Sequence, residues 1–220
     1  ALDIKLQQEE MRRNYDAGRL GRFNSRANAA WGSGELVDKP YRQRILLIAR
    51  DLERNNDIAK SIINPFERNV VGLGINVQAK TDDDALNQEL EEVWTEWCEQ
   101  QNCDVMGQLT FTEMERLNLR RIIVDGDIVA IKIYDPNAPF IPFRLQLIEA
   151  DMFDTSLFEN SENGNRIYSG VEVDAMLRPV AYWFQQSTLD QYSYNLQSLR
   201  IPAEQVLHLF TKQRVTQVRG

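Results

Sequence analysis

The stretch "VVGLGINV", residues 70–77, admits two readings, and the choice between them decides the fold. One is an apolar strand running into a Gly-x-Gly phosphate loop. The other is a helix that ends and turns a corner. A dinucleotide fingerprint needs a third glycine three residues after the second, so that a helix N-terminus can approach a pyrophosphate. Counting from Gly72 and Gly74, that place belongs to Val77. No helix follows either, because Ile75, Val77 and Ala79 alternate with Asn76 and Gln78, the period of a half-buried strand. Upstream, Ile58, Ala59, Ile62, Ile63, Phe66 and Val70 recur at three- and four-residue steps, which predicts a helix before the glycines. Gly72 then stands where a helix ends, because a residue without Cβ takes the left-handed conformation at little cost. This reading excludes a nucleotide cradle.

Outward from that corner, the N-terminal side reads as helices. Pro40 opens one through Ile45, Leu46, Ile48, Ala49 and Leu52, and Asn55 and Asn56 interrupt it. Either Asn can cap the next helix from Asp57, whose charge suits the positive end of the dipole. Pro65 should kink or split that helix. A short strand "INVQA" comes after the glycines. Residues 84–100 place Leu86, Leu90, Val93, Trp94, Trp97 and Cys98 on one stripe, with carboxylates on a solvated face. Thr110 and Glu113 form a capping box for a helix through Met114, Leu117, Ile122 and Ile123 that stops before "DGD".

From there the period becomes two. Strands are expected at 127–134, 143–151, 168–174 and 179–185, separated by turn-rich segments such as "DPNAP" and "NSENGN", with a turn of helix and one more strand over 200–210. Short links favour antiparallel pairing, so the expected class is α+β: an N-terminal arm and helices followed by a mainly antiparallel sheet. The expected division is an extended arm over 1–40 and an α+β domain over 41–220.

The formal net charge is −8 over 220 residues, and it is unevenly spread. Residues 1–60 carry 12 Lys/Arg against 9 Asp/Glu, whereas nine acidic residues and no basic one lie between Asp82 and Asp104. A chain of this balance does not condense onto nucleic acid as a whole, because counter-ion release needs a basic footprint. The local exception is the arm, where Arg12, Arg13, Arg19, Arg22 and Arg26 interleave with Tyr15, Phe23 and Trp31. Such a pattern either follows a phosphate backbone and stacks on bases or ties the arm to an acidic neighbouring subunit; lacking a reading helix, the second is favoured. No run approaches the ~20 apolar residues of a membrane span. Cys98 and Cys103 lack zinc-knuckle spacing and read as reduced, structural thiols.

Catalytic signals are sparse. His208, the single histidine, lies in apolar "VLHLF" and reads as a packed residue with one hydrogen bond. Asp125 and Asp127 flank Gly126; a carboxylate pair can do acid–base or metal-assisted work, but "DGD" is also what a helix-to-strand turn looks like. No cofactor or metal site is called for. No nucleophile elbow is present.

Several segments in order resemble one family. They are "YDAGR" (15–19), "RDLERNNDIAKSIINPFERNVVGLGI" (50–75), the tryptophan helix, "DGD", "LQLIEAD" (145–151), "GVEVD" (170–174) leading to "PVAYW", "IPAEQVLHLF" (201–210) and "QVRG" (217–220). Together they resemble the portal proteins of lambda-type tailed bacteriophages, from Tyr15 to Gly220. The motif positions are Arg50, Arg54, Asn55, Gly72 and Gly74 on the helical side, and Gly126, Asp151, Asp174, Pro202 and Gly220 on the other. Two turns depart from the family pattern: "AMLRP" (175–179) replaces a Gly-Arg-Pro turn, and Val215-Thr216 replaces a Pro-Gly pair. The resemblance implies a non-enzymatic subunit of a dodecameric ring at a capsid vertex of the virion, assembled in the bacterial host cytoplasm. It implies terminase, capsid and tail-connector partners, DNA passing without sequence specificity, and no membrane. It further implies that residues 1–220 are the N-terminal, wing-like part, without stem or clip. The alternative expectation is a stand-alone nucleic-acid-binding protein using the Arg-rich arm.

Overall fold

The computed structural model describes residues 32–138, 140–157, 160–161, 163–185 and 198–220. The five arginines of the arm therefore lie outside the described residues. Helices come first and strands afterwards, as an α+β reading requires. Helix α1 spans Gly34–Asn55 and α2 Asp57–Phe66, and α2 runs into a π-helical turn over Glu67–Val71. Asn56 caps α2 through its side chain, accepting from the amides of Ile58 and Ala59. Then come α3 (Asp84–Trp97), the short α4 (Gln100–Cys103) and α5 (Phe111–Val124), whose Thr110–Glu113 capping box is present in full.

The corner at Gly72 is real, and its geometry is specific. Gly72 has φ 57° and ψ −116°, and the Gly74 amide donates to the Val71 carbonyl at 2.9 Å. That is not the left-handed cap expected there but a type II′ turn, whose first central position only glycine occupies without strain. The strand expected after the corner does not form. Residues 74–80 pair with no strand; the amides of Ile75 and Ala79 instead donate to Glu115 and Glu91. A second correction concerns Pro40, which does not open α1 but lies inside it. A proline there forfeits one i→i−4 bond, and tertiary anchoring of the first turn offsets this: the Gly34 amide donates to Thr216 Oγ1 at 2.8 Å, and Glu35 is held by Arg42 and Ser169.

Among the described residues seven strands form two antiparallel sheets. The first orders β2 (Phe143–Glu149), β1 (Asp127–Tyr134) and β7 (Val206–Phe210). The second orders β3 (Arg166–Tyr168), β4 (Val171–Val173), β5 (Pro179–Gln185) and β6 (Ser198–Pro202). The single strand expected at 168–174 is thus two strands, split at Ser169 (φ 48°) and Gly170 (φ 84°), both at positive φ as a tight hairpin requires. The strand expected to reach residue 151 ends at Glu149, and β6 stands before the expected helical turn, which is Ala203–Gln205.

Residues Asp127–Ile131 are buried in succession, so the centre of β1 is covered on both faces. Val129 and Ile131 pack with Phe153, Val171, Val173, Tyr182, Phe184, Ile201 and Val206 between the sheets. On the other side Leu145 and Leu147 meet Trp97, Cys103, Met114, Trp94 and Phe111 of the helices. The Trp97 ring stacks on Phe143 at 5.8 Å and its indole N–H donates to the Phe143 carbonyl at 2.8 Å. Cys98 and Cys103 are free thiols, and burial pushes Cys103 up to about 11. Among the described residues no helix is long and apolar enough to cross a membrane.

Candidate functional site

Helix α1 is amphipathic in the inverted sense, and the site is built on that inversion. Its inward face carries charge: Glu35, Arg42, Arg50 and Glu53 recur at near-heptad spacing and each meets a partner from the body. Its outward face carries Tyr41, Ile45, Ile48 and Leu52, of which Ile45 is 61% exposed. The expected apolar stripe exists, but only its edge residues Leu46 and Ala49 are half-buried. Helix α2 repeats the pattern: Ile63 is buried, whereas Ile58 (72% exposed), Ile62, Phe66 and, in the π turn, Val70 face solvent. Isolated exposed leucines are ordinary, but a continuous stripe of large apolar side chains over two helices marks a contact surface.

The inward charges form a chain of ion pairs that fixes α1 to α5 and to the turn after β2. Glu35 accepts both terminal nitrogens of Arg42 at 2.8 and 3.0 Å and a hydrogen bond from Ser169. Burial works against its charge, yet the Arg42 bond and charge outweigh it and hold the carboxyl below its ordinary value. Arg50 is forked on two carboxylates, contacting Asp125 at 2.9 Å through two nitrogens and Asp151 at 2.7 Å through two. Hydrogen bonds donated to Asp125 and Asp151 raise the Arg50 pKa above its ordinary value. Glu53 is shared by Arg120 and Arg121 of α5, and Arg120 also reaches Glu67 at 2.7 Å.

The chain of pairs ends in the most buried cluster. Arg219 donates to Asp127 at 2.9 and 3.2 Å and to the Ala150 carbonyl at 2.8 Å, and its guanidinium lies 3.9 Å from the centre of the Phe153 ring. His208 Nε2 lies 3.2 Å from Asp127 Oδ2, so the expected single hydrogen bond of a packed histidine is what the fold provides. Burial opposes charge on Asp127, and Arg219 with the His208 bond prevails, holding the carboxyl at about 2. Burial likewise pushes the His208 imidazole below its ordinary value. Beside them two glycines touch backbone to backbone: a Cβ on Gly126 would meet the Gly220 carbonyl carbon at 2.9 Å. The Gly220 carbonyl accepts from Arg42 Nε at 3.1 Å.

Of the residues singled out from sequence, Arg50 and Asp151 form one pair and Gly126 and Gly220 one contact, all within this network. Arg54 is exposed, and the Asn55 side chain donates to Asp51 one turn back. Asp174 closes the β4–β5 turn, accepting from the amides of Met176 and Arg178, while Pro202 ends β6 opposite Ala181. In that turn Leu177 stands where the family resemblance expects glycine, and it has φ 61°. Thr216, the other departure, receives the Gly34 amide. Sequence reasoning missed Glu35, Arg42, Ser169 and Arg219 as partners, because no local pattern marks an ion pair or hydrogen bond whose members lie far apart in the chain. It also missed Glu172, fully buried in β4, whose carboxylate accepts from Arg200, Asn165 and Trp183.

Chemically, this arrangement holds elements together. Asp125 and Asp127, the pair weighed for acid–base or metal-assisted work, are committed to guanidinium groups, and a metal ion would have to displace Arg50, Arg121 or Arg219. Among the described residues no three His, Cys, Asp or Glu side chains are grouped to hold a metal ion.

Residues 21–220 match the family described as phage portal protein, lambda family. The chain is 29% identical over 221 residues to the "Probable portal protein" of Halomonas phage phiHAP-1, covering 94% of this chain and 42% of that protein. It thus spans less than half the length of that relative. Neither similarity points to a stand-alone nucleic-acid-binding protein.

Proposed function

Since the chain belongs to the lambda family of phage portal proteins, we propose that it is a structural subunit of the portal, assembling with its own copies into a ring at a capsid vertex. In this reading terminase, capsid and tail-connector proteins are its partners, DNA passes through the ring during packaging and ejection, and the protein performs no catalysis. The observation that carries it is the exposed apolar stripe on α1 and α2. A stripe running Tyr41, Ile45, Ile48, Leu52 and on through Ile58, Ile62 and Phe66 is left in water by the single chain, while α1 is anchored inward by ion pairs of Arg50 and Glu53. Covering such a stripe with a neighbouring copy recovers roughly 25 cal/mol per Å² of apolar surface, and a rigidly fixed helix loses little entropy on docking. The acidic balance beyond residue 60 supports passage of DNA without grip, because phosphates neutralised by Lys or Arg add affinity.

The test is the pair Ile48→Lys and Leu52→Lys in the full-length protein, followed by sedimentation velocity and negative-stain imaging. Rings should give way to smaller species while the circular dichroism spectrum is retained. Rings of unchanged size and stability, or a wild-type protein that stays monomeric at tens of micromolar, would remove the basis of the proposal.

A further inference from the structure

A second apolar surface lies away from the α1–α2 stripe, at the far end of β1. It is a groove of about 490 Å³ between the extended segment 77–81 and α3, with Val77 and Leu90 at its rim and Val93, Trp94, Trp97, Ile141 and Phe143 as its floor. The floor is aromatic and preformed: Trp94 and Trp97 lie 5.4 Å apart, and both contact Phe111. Around it carboxylates predominate. Asp82, Asp83 and Asp84 follow directly on Thr81, Glu89 adjoins Leu90 on α3, and Glu91 accepts from the Ala79 amide; Lys80 is the one charged residue lining the groove itself. An occupant should therefore be extended, basic and aromatic.

This chain contains one such segment. Residues 11–31 carry Arg12, Arg13, Arg19, Arg22 and Arg26 against the single acidic Asp16, with Tyr15, Phe23 and Trp31 between them. We propose that the groove is the seat of this chain's own N-terminal arm, its aromatic side chains on the Trp94–Trp97 floor and its arginines on the acidic rim. Reach allows it. The described chain starts beside Arg214 and Thr216, at the opposite end of β1 from the groove. An eight-residue strand is roughly 25 Å long, whereas thirty extended residues span up to about 100 Å. Tethering also favours the chain's own arm over a neighbour's, because a covalent link raises the local arm concentration toward the millimolar range. The proposal does not depend on ring formation.

The experiment uses the full-length protein with the photoreactive benzoylphenylalanine replacing Phe23, mixed in equal parts with heavy-nitrogen-labelled protein, irradiated, digested and mapped by mass spectrometry. Cross-links should join position 23 to residues 77–97 or 141–143, with both halves carrying the same label. Their yield should fall severalfold in the Asp82→Lys, Glu89→Lys background, and also when salt is raised from about 0.1 M to about 1 M, where the screening length shrinks from roughly 10 to 3 Å. Cross-links scattered elsewhere on the surface, cross-links to the groove that mix the labels, or a yield indifferent to charge reversal would each overturn it.

Discussion

Replacing Arg219 by methionine tests whether the buried ionic cluster holds the fold together. Methionine keeps much of the volume and a favourable contact with the Phe153 ring, so packing loss is small. The variant loses the guanidinium that donates twice to Asp127 and once to the Ala150 carbonyl, from a side chain only 3% exposed. Removing one partner of a buried pair leaves an uncompensated charge and typically costs about 3–5 kcal/mol. The orphaned carbonyl adds about 1 kcal/mol, and because these contributions overlap, a total of about 4 kcal/mol is expected. For a domain of this size that lowers the melting temperature by roughly 8–16 °C. The pH dependence separates this cause from a packing defect. In the parent protein Asp127 titrates at about 2 instead of its ordinary 3.8, so its contribution of about 2 kcal/mol is present above pH 4 and is lost only as pH falls from there toward 2. In the variant the lone carboxylate prefers a proton, and Asp127 or His208 takes one as pH falls below neutrality. The stability difference between the two proteins should therefore narrow between pH 7 and pH 4. Urea unfolding followed by tryptophan fluorescence at several pH values measures it. A loss below about 1 kcal/mol at pH 7, or a difference that is the same at pH 4, would refute the reasoning.

Three other substitutions probe the backbone. Gly126→Ala should cost roughly 3 kcal/mol, combining positive φ with a Cβ driven to 2.9 Å from the Gly220 backbone. Gly107→Ala, at φ 65° in open space, should cost only about 1 kcal/mol; equal losses in urea unfolding would mean that the glycine–glycine contact is unimportant. Leu177→Gly should leave stability unchanged or raise it by up to about 1 kcal/mol, because a left-handed leucine is strained and its side chain is exposed. A clear loss of thermal stability in that variant would show that the leucine side chain, not the turn conformation, matters there.

Elements whose signal is local were legible. The bounds of β1 and β5 coincide with the alternating runs 127–134 and 179–185, and the capping box at Thr110 is a four-residue signal that needs no distant partner. The break at Ser169–Gly170 was also written locally, as a two-residue hairpin turn inside "YSGVEVD", but the apolar alternation on either side masks it. "INVQA" alternates like a strand and is not one, because its amides are met by Glu115 and Glu91 from the helices and no strand lies alongside. Periodicity reports which residues share a face; it does not report what lies opposite that face. For the same reason the stripe on α1 was visible while its direction was not.

Residues alone establish that a helix turns a corner at Gly72, that no phosphate cradle stands there, that strands come after helices, and that the ordered motifs resemble a portal chain. Each of these depends on conformational preference or spacing within a few residues, which the order of amino acids carries directly. Only the tertiary structure decided that α1 buries its charges and exposes its apolar stripe, that Pro40 sits inside that helix, and that Asp125 and Asp127 serve arginines. Those outcomes depend on Ser169, Thr216 and Arg219 arriving beside residues far away in the chain, and the free energy of a buried ion pair exists only once both partners have left water together.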